Sequence, residues 1–212
     1  MTGKALLFIN GVPPRVLPDS SDYALVACTD GAFNYLKKMH FPLAELDFIS
    51  GDFDSHTRLE ADLYAEKFIY TPDQDKTDFE KALEILTERG VTAVDVYGGS
   101  GGEMDHFLGN LTVALQFTPL ITLNFYDETS RYFFAPKHLV LKKMKDRLVS
   151  LFPFPTATNV STTGLKWPLK QETLDLTGRI GTRNIASDDV VSISFSDGNL
   201  IVFVGHRSLT AF

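Results

Sequence analysis

From Ala5 to Tyr126 the chain alternates short apolar runs with segments whose apolar residues recur at helical spacing, and after Arg131 that spacing disappears. The runs Ala5 to Asn10, Ala24 to Thr29, Asp47 to Ser50, Lys67 to Tyr70, Ala93 to Tyr97 and Ile121 to Tyr126 read as strands. Between them, Ala32, Tyr35, Leu36 and Met39 follow the i, i+3, i+4, i+7 template, as do Phe79, Ala82, Leu83 and Leu86, and Met104, Phe107, Leu108 and Leu111. Each set predicts a helix with one buried face. Strand and helix in strict alternation imply a mostly parallel sheet flanked by helices. Beyond it, Arg147 to Phe154, Val190 to Phe195 and Leu200 to Val204 are β-type segments, and Ser196-Asp197-Gly198-Asn199 reads as a hairpin turn. The predicted architecture is an α/β N-terminal domain over residues 1–138 followed by a C-terminal all-β sandwich or small barrel over 139–212, with the boundary near Ala135 to Lys145.

Composition narrows the function. The chain has 212 residues, 44% of them hydrophobic and seventeen of them Phe, enough for a sizeable core. A net charge of −7 with scattered Lys and Arg argues against a nucleic-acid surface, which needs a concentrated basic face. The one basic cluster, Lys142, Lys143, Lys145 and Arg147, reads as a solvated hairpin or interdomain segment. The N-terminal apolar run Ala5 to Ile9 is too short for a membrane span or a signal peptide core. A single cysteine, Cys28, leaves no disulfide framework, and a reducing cytoplasmic setting is expected.

Four segments at the ends of predicted strands carry the chemistry, where ligands bind in open α/β sheets. In Gly51-Asp52-Phe53-Asp54-Ser55 the two carboxylates are two apart, so in an extended loop they project to one side and can share a hard cation such as Mg²⁺. An Asx turn followed by a helix cap at Ser55 or Thr57 accounts for the same residues. In Asp73-Gln74-Asp75-Lys76-Thr77-Asp78-Phe79, Asp75 reads as an N-cap with Asp78 at N3. Alternatively Asp78 turns to a metal while Thr77 and backbone N–H groups meet phosphate oxygens. The run Gly98 to His106 joins a strand to a helix, and its glycines Gly99, Gly101 and Gly102 let the backbone approach a phosphate. It matches neither the P-loop nor the dinucleotide fingerprint, and His106 by itself reads as a structural histidine. Asp30 and Asn34 lie four apart at a helix start and can face one crevice, although Asp30 equally suits an N-cap.

Asp30-Gly31-Ala32-Phe33-Asn34, the Gly-Asp-Phe-Asp-Ser motif, Asp73 to Phe79 and Gly101 to His106, taken in order, resemble the thiamin pyrophosphokinase family. The likeness continues through Thr162-Thr163-Gly164-Leu165-Lys166-Trp167 and Gly181-Thr182-Arg183-Asn184. The resemblance implies an α/β catalytic domain joined to a β-sandwich, in a homodimer with active sites between subunits. It implies transfer of the pyrophosphoryl group of ATP to the hydroxyl of thiamin, giving thiamin diphosphate and AMP. By position, Asp52, Asp54 and Asp78 would hold Mg²⁺ and the phosphates, and with Asp105 form the catalytic carboxylates. Asp30, Asn34 and Asp105 would line the crevice, and Trp167, Thr182 and Asn184 would shape the thiamin pocket. The permanent positive charge of thiamin suits acidic walls and the face of Trp167. The chain departs from the family pattern at Ala32 and Phe33, where a Gly and an Ala are common, and at Glu103, where Arg is usual. Where Gly181-Thr182-Arg183-Asn184 stands, Ser-Thr-Ser-Asn is usual, so Arg183 is expected to supply the phosphate-binding charge missing at 103. Two rival readings are a related pyrophosphokinase acting on a pterin alcohol and a non-catalytic nucleotide or metal sensor.

Overall fold

A computed structural model describes residues 3–52 and 64–208, and the chain divides into two compact units, Met1–Glu128 and Thr129–Phe212. In the first unit the strands are β1 (Lys4–Phe8), β2 (Leu25–Thr29), β3 (Phe48–Gly51), β4 (Phe68–Tyr70), β5 (Ala93–Tyr97) and β6 (Thr122–Tyr126). They pair in the order β4-β3-β2-β1-β5-β6, every neighbour parallel. The strands are nearly continuous apolar runs because both faces of such a sheet are covered. The described helices of this unit are α1 (Asp30–Lys38), α2 (Asp78–Glu88) and α3 (Met104–Phe117), with a 3₁₀ turn at Leu43–Glu45.

Leu6, Phe8, Cys28 and Ile49 pack with Ala32, Phe33 and Leu36 of α1 in one core cluster. Burial of Cys28 pushes its thiol pKa well up, leaving it an inert core residue. Helix α2 buries Phe79, Ala82, Leu83 and Leu86, the stripe its spacing predicts. Helix α3 follows its predicted stripe only in part: it buries Leu111, with Val113, Ala114 and Phe117, while Met104 and Leu108 stay 62% and 56% exposed. Its first turn starts at the carboxyl edge of the sheet, where strands no longer cover it.

One carboxylate sits inside this sheet. Asp95 of β5 is 2% exposed and is held by Lys4 Nζ at 2.5 Å, the Tyr23 hydroxyl at 2.7 Å and Asn124 Nδ2 at 3.2 Å. Three donors on two oxygens meet the condition for keeping a charge out of water.

The second unit contains β7 (Ser130–Phe134), β8 (His138–Lys142), β9 (Arg147–Thr163), β10 (Glu172–Asp175), β11 (Gly181–Ile185), β12 (Val190–Ser194) and β13 (Asp197–Ser208). Strand β9 runs for 17 residues. It pairs antiparallel with β13, β10 and β11, and its last residues Ser161 to Thr163 pair with β12, which also pairs with β8. Leu141, Val191 and Ile193 share one core with Val149, Leu151, Leu174 and Val202.

One sequence expectation changes here. The Ser196 to Asn199 segment does not close a hairpin, because β12 pairs with β8 and β9 whereas β13 pairs with β7 and β9. It carries the chain over β9 instead: Ser196 N–H donates to Thr158 O at 3.0 Å, and Gly198, at φ 81°, passes so close that a Cβ would lie 2.0 Å from Thr156 O. The two compact units divide between Glu128 and Thr129, just before β7, which takes β13 as its partner.

Candidate active site

Strand order reverses at β1, which has β2 on one side and β5 on the other. A crevice forms beyond the carboxyl ends of strands at such a reversal. Five segments line that edge, and backbone hydrogen bonds and close packing knit them in order.

At the end of β4, Thr71 N–H donates to Gly51 O at 2.9 Å, placing the following loop beside the end of β3. Gln74 of that loop reaches Asp52 Oδ2 with its Nε2 at 3.3 Å. Asp75 is not the N-cap expected of it: its N–H donates to Asp73 Oδ1 at 2.9 Å in an Asx turn, and Thr77 caps α2 by accepting from Glu80 N–H at 3.2 Å. Asp78 is therefore the first helical residue, and its Oδ1 lies 2.7 Å from Lys81 Nζ. A carboxylate at this place gains from the helix dipole.

At the end of β2, Thr29 occupies the cap position of α1 and Asp30 opens the helix, in place of the N-cap reading of Asp30. Asp30 is 7% exposed, accepts from Gly31 N–H at 2.6 Å, and packs so tightly on Gly51 that a Cβ there would sit 2.4 Å from its Oδ2. Only glycine at 51 admits this carboxylate beside Asp52. Asn34 lies half-buried one turn further along α1.

At β1 and β5 the backbone forms a cradle. Gly11 N–H donates to Gly98 O at 2.7 Å and Val12 N–H to Ser100 O at 3.0 Å. Gly98, at φ 79°, lies over Ile9 O, which also accepts from the Tyr35 hydroxyl at 3.2 Å. Burial drives the Tyr35 pKa up, keeping that hydroxyl a donor. Asn110 Nδ2 occupies Gly99 O at 3.1 Å. Gly101 and Gly102 follow at φ 77° and 69°, and nothing lies within 4 Å of a Cβ at Gly102. The exposed start of α3 then groups Glu103, Asp105 and His106, with His106 Nδ1 3.3 Å from Glu103 Oε2.

The donor set along this edge fits Mg²⁺. Asp52 and Asp78 offer hard carboxylate oxygens, and the buried hydroxyls of Thr29, Ser50 and Thr71, at the ends of β2, β3 and β4, have no hydrogen-bond partner.

In the second unit Trp167 is 53% exposed and clamped by Asn184. The Asn184 side chain accepts from Trp167 N–H at 3.2 Å and donates to Trp167 O at 2.7 Å. Both ends of the amide are thus engaged on the tryptophan backbone. Lys166 Nζ lies 4.9 Å from the centroid of the Trp167 ring, so one cation already rests on this π system. Thr182 is exposed, and Arg183, at φ 59°, occupies the irregularity between Gly181 and Asn184 with its N–H on Ser150 Oγ at 2.9 Å.

Residues 20–122 match the sequence family described as "Thiamin pyrophosphokinase, catalytic domain", and residues 137–200 match "Thiamin pyrophosphokinase, vitamin B1 binding domain". The chain belongs to the thiamin pyrophosphokinase family. It is 26% identical to "Thiamine pyrophosphokinase" of Bacillus subtilis over 94% of this chain and 97% of that protein. It is 27% identical to "Thiamine pyrophosphokinase 1" of Oryza sativa over 96% of this chain and 88% of that one. The crystal structure of the B. subtilis thiamine pyrophosphokinase superposes with a TM-score of 0.81 at 23% identity, covering 95% of this chain and 98% of that one. "Thiamin pyrophosphokinase from Candida albicans" superposes at 0.82 with 17% identity, covering 95% and 88%. These two likenesses establish a shared fold.

Of the positions that the thiamin pyrophosphokinase motifs single out, Asp30, Asp52, Thr77 and Asp78 lie along the ends of β2, β3 and β4, and Gly99, Gly101, Gly102 and Asp105 follow β5. Asp54 lies outside the described residues, as do Ser55 and Thr57. Sequence reasoning passed over Asn10, whose Cγ would be 2.5 Å from a Cβ at Gly31, and Gln74, Tyr35 and Asn110. Asn10 had a readable signal, a polar residue and a glycine directly after an apolar strand. Lys81 had none, since a lysine three residues into a helix ordinarily reads as solvated.

Proposed function

We propose that the chain is an ATP-dependent thiamin pyrophosphokinase, transferring the pyrophosphoryl group of ATP to the hydroxyl of thiamin and releasing AMP. The observation that carries this reading is the row Asp30, Asp52 and Asp78 along three adjacent strand ends, opposite a glycine cradle on β5, in a chain matched by both family domains. Such transfer needs positioning and charge neutralisation more than a covalent nucleophile. Asp52 and Asp78, with Asp54, are read as the residues that hold Mg²⁺. When bound, the ion would neutralise charge on the transferring phosphates. Asp30 and Asn34 line the crevice beside them, Thr77 and the N–H groups at the start of α2 receive phosphate oxygens, and Gly99, Gly101, Gly102 and Asp105 border the far side. Incubation with thiamin, ATP and Mg²⁺ is expected to release AMP and thiamin diphosphate only when all three are present. ADP as product would refute pyrophosphoryl transfer, a hydroxymethylpterin consumed in place of thiamin would move the substrate, and binding without turnover would make the chain a sensor.

Residues 1–138 are read as the catalytic part and 139–212 as a thiamin-binding β-sandwich, a reading supported by β9 serving both strand groups around one core. The working form is read as a cytoplasmic homodimer with its active sites between subunits. Exposed Met104 and Leu108 beside the glycine cradle are in keeping with a partner surface there. Among the described residues no helix is long and apolar enough to cross a membrane.

Trp167, clamped by Asn184, is read as the platform for the thiamin cation, with Thr182 beside it. Trp167→Ala is expected to raise the KM for thiamin about 2- to 30-fold with kcat little changed, the span of one cation–π contact. Steady-state kinetics with thiamin varied checks this. Arg183→Ser is expected to raise the KM for ATP about 1.5- to 5-fold, the loss of one solvent-exposed ionic contact. An unchanged KM for ATP removes Arg183 from phosphate binding.

A further inference from the structure

Lys81 stands on α2 three residues after Asp78, where a lysine ordinarily extends its ammonium to water. Here the side chain is only 6% exposed. Its Nζ lies 2.7 Å from Asp78 Oδ1, 2.9 Å from Thr71 O and 3.3 Å from Asp73 O. An ammonium has three N–H donors, and all three are met, one by a carboxylate and two by the loop between β4 and α2.

Two consequences follow for the crevice. Asp78 Oδ1 already accepts from Lys81, which leaves Oδ2 as the oxygen better placed to meet a cation. The carbonyls of Thr71 and Asp73 belong to the loop that carries Gln74, the residue after Asp73, and Gln74 is the residue that reaches Asp52. The same ammonium therefore holds Asp78 directly and Asp52 through the loop.

We propose that Lys81 is a positioning residue that fixes the relative placement of Asp52 and Asp78 for metal binding. The proposal rests on the reading of these two aspartates as metal ligands. Partners one shell removed from a metal typically change its affinity or the activity about 10- to 100-fold when replaced.

The test uses Mn²⁺ alone as the probe, its binding measured by electron paramagnetic resonance, beside steady-state kinetics and thermal unfolding. Lys81→Met is expected to weaken Mn²⁺ binding about 10-fold and to lower kcat about 10- to 100-fold, with the KM for thiamin within about twofold of wild type. Lys81→Arg, which keeps the charge, is expected to restore most of both. In an Asp78→Asn background, Lys81→Met is expected to weaken Mn²⁺ binding clearly less than it does alone, since one of the two groups it positions is already altered. Independent effects of the two substitutions, or a Lys81→Met protein that melts lower yet binds Mn²⁺ and turns over as wild type does, overturn the proposal. If Lys81→Met does not fold, Lys81→Gln takes its place, and Mn²⁺ affinity at the wild-type level in that variant is equally fatal. A wild-type protein that binds Mn²⁺ but forms no thiamin diphosphate refutes the proposed function and leaves this cycle of variants readable.

Discussion

Asp52→Asn is expected to lower kcat about 10³-fold while moving the melting temperature by no more than about 2 °C. The asymmetry comes from where the residue stands. Asp52 follows the last residue of β3, is only half-buried, and meets Gln74 Nε2 at 3.3 Å, an interaction the Asn carbonyl oxygen retains. The substitution therefore removes charge from the strand end with little change of packing. Asp54→Ala, two residues on, is expected to produce a loss of the same order. Rates of AMP release at saturating ATP, thiamin and Mg²⁺ check both, alongside thermal unfolding. A variant within about tenfold of wild type takes Asp52 out of the ligand set.

Gly98→Ala acts in the opposite way, through the backbone, and is expected to destabilise the protein by about 4 kcal/mol. At φ 79° an added Cβ would lie 2.1 Å from Ile9 O, and that carbonyl has no freedom to retreat because Gly11 N–H and the Tyr35 hydroxyl both bond to it, at 3.0 and 3.2 Å. Gly90→Ala is the matched control: it has φ 77° but nothing within 4 Å of the added Cβ. It is expected to cost about 1 kcal/mol, the backbone penalty by itself. Denaturant unfolding of the two variants separates the clash from the dihedral. Equal losses would show that the approach of Gly98 to β1 contributes nothing.

The parallel half was legible in the sequence because a sheet covered on both faces demands apolar runs, and its helices demand stripes. What failed was local. Met104 and Leu108 have helical spacing and hydrophobicity, yet the start of α3 lies past the end of the sheet, so at these two positions the pattern is met without burial. Asp75 looked like a cap because a capping pattern does not reveal which of several Asp and Thr residues the chain turns on; the Asx turn at Asp73 moved the helix start to Thr77 and Asp78. In the second half, Arg147 to Phe154 was seen but the strand runs on to Thr163 through Pro153 and Pro155, residues that ordinarily end a strand. The carboxylates of the site were visible as an excess of acid where strands stop. Their supports, Lys81 and Gln74, were not, because their importance lies in partners far along the chain or in burial that spacing does not encode.

The strand order has a consequence for how the molecule comes into being. Strand β1 precedes the other five strands of its unit in the chain, and its edges are claimed by β2 and, much later, by β5, so that Lys4 finds Ala93 opposite it. Closing so long a stretch of chain is slow compared with local pairing. A nascent chain that stops short of β5 has Asp30, Asp52 and Asp78 beyond the ends of β2, β3 and β4 but no cradle on β5. The strand-end edge of this unit is therefore expected to close only when the returning chain docks β5 beside β1.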